Sequence, residues 1–136
     1  MHADRVFLDT NIFIYMYAAT EPEKKEKSLS LLDNNDCVTS TQAINEICNV
    51  LTGKILTPVA DIKRVVNDIF NTCEVRYVYK NTALSALDLK ERYGFSFYDC
   101  LMLSSALESN CKILYSEDMA DGQMIEGKLK IVNPYF

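Results

Sequence analysis

Short apolar runs alternate along the chain with longer stretches in which apolar residues recur every three or four positions, a rhythm that predicts strands separated by amphipathic helices. Val6-Phe7-Leu8 is the first strand, interrupted by Asp9-Thr10-Asn11, and Ile12 to Tyr17 continues at a length suited to a helix. Thr20-Glu21-Pro22-Glu23 has the spacing of a capping box with proline in the first turn and opens a helix to about Asn34. Its charged residues Lys24, Lys25, Glu26 and Lys27 lie opposite Leu29, Leu31 and Leu32 and read as a solvated face. Cys37-Val38-Thr39 is a second strand. Ser40 or Thr41 then caps a helix carrying Ile44, Ile47, Val50 and Leu51, which Gly53 ends.

Beyond Pro58, the series Val59, Ile62, Val65, Val66, Ile69 and Phe70 traces another amphipathic helix, and Val75 to Tyr79 alternates as a strand does. A helix through Ala83, Leu84, Leu87 and Leu89 stops at Gly94, and Ser96 caps the next, which carries Leu101 to Leu103, Ala106 and Leu107. Ile113-Leu114-Tyr115 and Lys130-Ile131-Val132 are the last strands. Such alternation predicts an α/β fold in three layers, α/β/α, with a mostly parallel central sheet of four to five strands.

Composition narrows this picture. A chain of 136 residues, 49% of them hydrophobic, sustains one core, so a single domain over residues 1–136 is expected. The five cysteines are odd in number and form no C-x-x-C pair, which points to reduced thiols in a cytoplasmic protein rather than to a zinc cage or disulfide framework. Met1 to Arg5 has no basic-then-apolar export pattern, and no run of eighteen apolar residues occurs, so neither secretion nor a membrane is expected. The net charge of -5 argues on its face against a polyanionic partner.

The candidate chemistry is carboxylate chemistry. Ligands of open parallel sheets bind beyond the carboxyl ends of the strands, and Asp9, Asp118 and Asp99 fall at strand ends or in a helix's first turn there. Glu46 projects from the helix that starts near Ser40. Each has a plainer role available: Asp9 and Asp118 as turn formers or caps, Asp99 closing a capping box with Ser96, Glu46 facing solvent. Together they would crowd one edge, and like charges at close range repel unless cations intervene. Oxygen ligands suit Mg²⁺ or Mn²⁺, two of which can activate water and stabilise the leaving oxygen of a phosphodiester. The lone histidine, His2, excludes catalysis by paired imidazoles or by a Ser-His-Asp triad.

The segments Val6-Phe7-Leu8-Asp9-Thr10-Asn11-Ile12, Thr41-Gln42-Ala43-Ile44-Asn45-Glu46, Phe97-Tyr98-Asp99-Cys100-Leu101-Met102 and Leu114-Tyr115-Ser116-Glu117-Asp118-Met119 resemble, in order and spacing, those of PIN domains. The resemblance is to the short VapC-type toxins of toxin–antitoxin pairs and covers nearly the whole chain. It implies a PIN-like fold and a Mg²⁺- or Mn²⁺-dependent ribonuclease acting on RNA. Asp9, Glu46, Asp99 and Asp118 would be its catalytic and metal-binding acids, with Thr10 and Ser116 in support, a homodimer as the assembly and an antitoxin as partner. Asn11 is a supporting residue that would hold water or phosphate, or a helix cap. Asp121 would be a fifth acid, although Asp118-Met119-Ala120-Asp121 sets it one residue beyond the family's D-x-D-F spacing. Two divalent ions would bring the charge to about -1. Lys54, Lys80, Arg92 and Lys112 are candidates for an RNA groove, and the aromatics Phe13, Tyr15, Tyr17, Tyr93, Phe95 and Phe97 read as structural. Competing readings are a PIN-like module that only binds RNA or protein, and a receiver-like Mg²⁺-binding phosphoacceptor. The latter wants paired acids where Thr10 and Asn11 follow Asp9.

Overall fold

The computed structural model describes residues 4–136, so His2 lies outside the described residues. Twelve elements follow one another: β1 (Arg5–Leu8), α1 (Thr10–Tyr17), α2 (Pro22–Asn34), β2 (Asp36–Ser40), α3 (Thr41–Gly53), α4 (Val59–Thr72), β3 (Glu74–Arg76), α5 (Lys80–Tyr93), α6 (Phe97–Glu108), β4 (Ile113–Tyr115), β5 (Met124–Ile125) and β6 (Leu129–Val132). The strands form one sheet in the order β3-β2-β1-β4-β6-β5, parallel throughout except for β5 against β6. The order reverses at β1, so the crevice expected of such sheets opens where β1 and β4 end side by side.

Period-two alternation sends successive β1 side chains to opposite faces. Phe7 joins Val38, Leu114 and Ile131 under α5 and α6, whereas Val6 and Leu8 join Cys37 under α1 to α4. Each fully buried side chain of this size contributes about 1.5–3 kcal/mol. From Cys100 to Ala106, α6 is buried on every side, because it lies between α5 and the sheet. All five cysteines are free, and burial pushes the Cys37 and Cys111 thiols up to about 12 and that of Cys73 to about 11, leaving them protonated core residues. No helix among the described residues is long and apolar enough to cross a membrane.

Three local expectations are corrected. Thr20 does not cap α2; the helix starts at Pro22 with Glu21 as N-cap, because the residue before proline is barred from helical dihedrals. The strand expected over Val75–Tyr79 ends at Arg76, where the chain leaves the sheet and Tyr79 becomes the N-cap of α5, its N–H donated to the Thr82 hydroxyl at 3.2 Å. The sheet has six strands among the described residues rather than four to five. The extra one, β5, is too short to show a period, and its hairpin turns on Glu126 and Gly127, both at positive φ, without the Asn-Gly or Asp-Gly that marks such turns.

Candidate metal-binding site

Asp9 stands directly after β1 as the N-cap of α1. Its Oδ1 accepts the Thr10 N–H at 2.7 Å and its Oδ2 accepts the Ser116 hydroxyl at 2.7 Å. Ser116 follows β4 and is fully buried; its oxygen also accepts the Asp118 N–H at 3.3 Å, so one hydroxyl ties both strand-end acids together. Asn11 Nδ2 donates to Asp118 Oδ2 at 2.7 Å.

The other two acids come from helices. Ser40 accepts the Ala43 N–H and fixes the start of α3, which sends Glu46 to the same edge. Gln42 Nε2 donates to Glu46 Oε2 at 3.2 Å and to the Tyr98 carbonyl at 3.0 Å, linking α3 to the first turn of α6. There the Asp99 N–H donates to Ser96 Oγ at 3.2 Å, which caps α6 through the backbone and leaves the Asp99 carboxylate outside that bond.

Asp9, Glu46, Asp99 and Asp118 therefore line one cavity of about 250 Å³, together with Thr10, Asn11, Gln42, Asn49, Tyr98 and two apolar residues, and among the described residues no lysine, arginine or histidine lines it. Burial pushes the Asp9 carboxyl above the usual carboxylate range, and the charges of Asp99 and Asp118 push the same way against the bonds from Ser116 and Thr10. Burial likewise raises Glu46, with the Asp9 charge next in weight. An acid raised on folding costs stability as pH climbs past its unfolded value, so at neutral pH the metal-free protein carries a penalty that comes first from burial of Asp9 and Glu46 and then from their acidic neighbours.

The donor set is all oxygen, which suits a hard, hydrated cation. Two of the residues that line the cavity hold a buried oxygen, Thr10 Oγ1 and Gln42 Oε1, for which the described residues supply no hydrogen-bond partner within geometric limits. Among the described residues no three His, Cys, Asp or Glu side chains already stand at ligand spacing.

Of the remaining candidates, Thr10 and Asn11 line the cavity and Ser116 stands behind Asp9. Asp121 is not brought there: its Oδ1 accepts the Asn133 N–H at 2.8 Å, and the residue braces the chain after β6. Lys54, Lys80, Arg92 and Lys112 do not line the cavity either. Arg92 pairs with Glu126, and Lys112 lies 3.9 Å from Asp4 at the opposite, amino ends of the strands. Lys24 is more than part of a solvated face, because it bonds Glu117 at 2.6 Å and the Tyr15 hydroxyl at 3.3 Å, over the ring of Tyr135. Gln42 and Tyr98 are wall residues not singled out from the sequence. Their signals were Gln42 one helical turn before Glu46 and Tyr98 beside Asp99.

The PIN domain family model matches residues 6–120. The fold is similar to that of a toxin–antitoxin complex from Klebsiella pneumoniae, at 18% identity over 96% of this chain and 98% of that one, with a TM-score of 0.70. It is similar also to VapC20 of Mycobacterium tuberculosis, described as a sarcin–ricin-loop-cleaving toxin (16% identity, 83% and 89% of the two chains, TM-score 0.69). A third similar structure is VapBC2 from Rickettsia felis bound to a promoter DNA fragment (17% identity, 95% and 99%, TM-score 0.64). No curated protein matches the sequence.

Proposed function

This chain belongs to the PIN domain family, and from that premise we propose that it is a Mg²⁺- or Mn²⁺-dependent endoribonuclease, the toxin of a toxin–antitoxin pair. One observation carries the reading: four acids from segments far apart in sequence share a cavity that, among the described residues, no cationic side chain lines. Such an arrangement is costly to a fold that has no ligand for it. In this reading residues 1–136 form one nuclease domain that works in the cytoplasm as a homodimer and is blocked by a cognate antitoxin. The described likeness to toxin–antitoxin structures supports that assignment.

Asp9, Glu46, Asp99 and Asp118 would hold the ions. When bound, these would supply Lewis acidity toward a phosphodiester and a nucleophilic water at neutral pH. The protein's own contribution is aim. Ser116 and the Thr10 N–H fix both oxygens of Asp9, Asn11 holds Asp118, and Gln42 holds Glu46, so three of the four acids are oriented before substrate arrives. Since no histidine, lysine or arginine among the described residues lines the cavity, the phosphate would be attracted by bound ions rather than by side chains.

Purified protein should cut single-stranded or looped RNA in Mn²⁺, stop on chelation, and lose activity as Asp9→Asn. Cleavage that survives both treatments would remove this mechanism. Metal and RNA binding without cleavage would favour the binding-module reading.

A further inference from the structure

A second groove, of about 630 Å³, opens directly beside the acidic cavity and shares Gln42, Glu46, Asn49 and Tyr98 with it. Its chemistry differs. Val78 and Leu101 give it an apolar floor, Asn45 and Asn49 present amides from one face of α3, and Glu46 is the only charged residue among the described residues that line it. Among the described residues neither amide side chain makes a hydrogen bond within the protein, and both residues are exposed.

Tyr98 forms the wall between the two spaces. It is 67% exposed and stands beside the half-buried Glu46. The ring meets Phe97 edge to face at 5.6 Å, and the backbone that carries it is pinned by Gln42 through the Tyr98 carbonyl. An aromatic ring on a pinned backbone, with two side-chain torsions, has little freedom to lose when something stacks on it.

We propose that this groove is a subsite for one unpaired base of an RNA strand, stacked on Tyr98 and read at its edge by Asn45 and Asn49. The proposal rests on the ribonuclease reading for the identity of the strand, not for the existence of the site. A phosphate is a poor occupant, since no lysine or arginine lines the groove and Glu46 would repel it. A base fits each feature: it is uncharged, has a flat face for an aromatic ring, and has donors and acceptors at its edge that paired amides match. Continuity with the acidic cavity places that base next to the phosphate to be cut. Cleavage would then be confined to strands whose base at that point can leave its stack, which favours loops and single strands over duplex.

Neutral nucleosides test the site free of cations and of cleavage. Saturation-transfer NMR on the metal-free protein with adenosine, guanosine, cytidine and uridine should show transfer to base protons, stronger for at least one base. Tyr98→Ala should weaken that binding roughly five- to hundredfold, the scale of one base–aromatic stack, and Tyr98→Phe should restore it. On RNA, Tyr98→Ala should raise KM more than it lowers kcat. An absence of transfer, or binding indifferent to Tyr98→Ala, overturns the subsite. So does a change in sedimentation coefficient on Tyr98→Ala, which would make the groove a seat for a second copy of the chain. Nucleoside binding without RNA cleavage would retain the subsite and remove the nuclease reading; cleavage without nucleoside binding would do the reverse.

Discussion

The two ends of the sheet treat acidic residues in opposite ways. At the amino ends of the strands Arg5 spans three neighbours, touching Asp36 at 3.1 Å and Glu74 at 2.5 Å while its Nε donates to the Ser109 carbonyl at 2.6 Å. Arg76 approaches Glu74 at 3.8 Å, and Lys112 approaches Asp4 at 3.9 Å. At the carboxyl ends Asp9, Glu46, Asp99 and Asp118 share one cavity, and among the described residues no such partner lines it. Glu117 and Asp118 reproduce the contrast between adjacent residues, since Glu117 bonds Lys24 and Tyr15 whereas Asp118 turns to the cavity. Acids with cationic partners belong to the fold. Acids gathered without them burden it until a ligand arrives.

The sharpest way to break this comparison is Asp99→Asn. Its carboxylate is outside the α6 cap bond, so the change removes charge while sparing that bond. Cleavage should fall by at least about 10²- to 10³-fold, the scale for losing one charge-stabilising group. The metal-free variant should meanwhile melt higher than wild type, by a margin that widens as pH rises past the ordinary carboxylate range, because Asp9 and Glu46 are both raised partly by the Asp99 charge. A thermal melt series from acid to neutral pH reads this, and a lower Tm at neutral pH would mean the acids do not burden the fold.

Next in size is Ser116→Ala. Its hydroxyl serves Asp9 and Asp118 together, and losing such a supporting bond should weaken Mn²⁺ binding or activity by roughly 10- to 100-fold. Titration calorimetry with Mn²⁺ checks it; unchanged affinity and unchanged rate would show that the carboxylates hold their aim unaided.

Arg5→Met probes the opposite end. The loss of its ion pairs and carbonyl bond should cost about 1–2 kcal/mol of stability. Cleavage per folded molecule should be untouched, and a specific loss of rate would contradict the division between the two ends.

The smallest effect belongs to Lys24→Met. Burial raises the Glu117 carboxyl, but the bonds from Lys24 and Tyr15 outweigh it and leave Glu117 below its usual range. A depressed acid stabilises the fold above its unfolded value and loses that contribution as pH falls through the folded one. The Tm gap between wild type and variant should thus be present at neutral pH and close in acid. A gap independent of pH would assign the effect to packing on Tyr15 and Tyr135 instead.

Much of this was legible from residue order. The apolar runs at Val6, Cys37 and Ile113 are strands, Gly94 at φ 76° ends α5, and Ser40 and Ser96 cap the helices expected of them. These features are local: a period, a cap or a left-handed glycine is decided within one turn of chain. Less visible were elements whose signal is shorter than a period, as in β5, and choices that depend on a neighbour, as when Val78 and Tyr79 leave the sheet for α5. Asp121 illustrates the limit at the site, because a spacing of three residues from Asp118 does not reveal that the Asn133 N–H is waiting for it.

By itself the sequence determined which residues carry charge and which segments deliver them to strand ends or helix starts, since both follow from side-chain chemistry and short-range periodicity. Only the tertiary structure decided which acids meet which partners. Arg5 and Lys24 reach residues 69 and 93 positions away, and Asp9 and Ser116 are 107 apart. Contacts at that separation are set by how strands pair and helices pack, and the same packing leaves four acids facing one another without a cationic side chain between them.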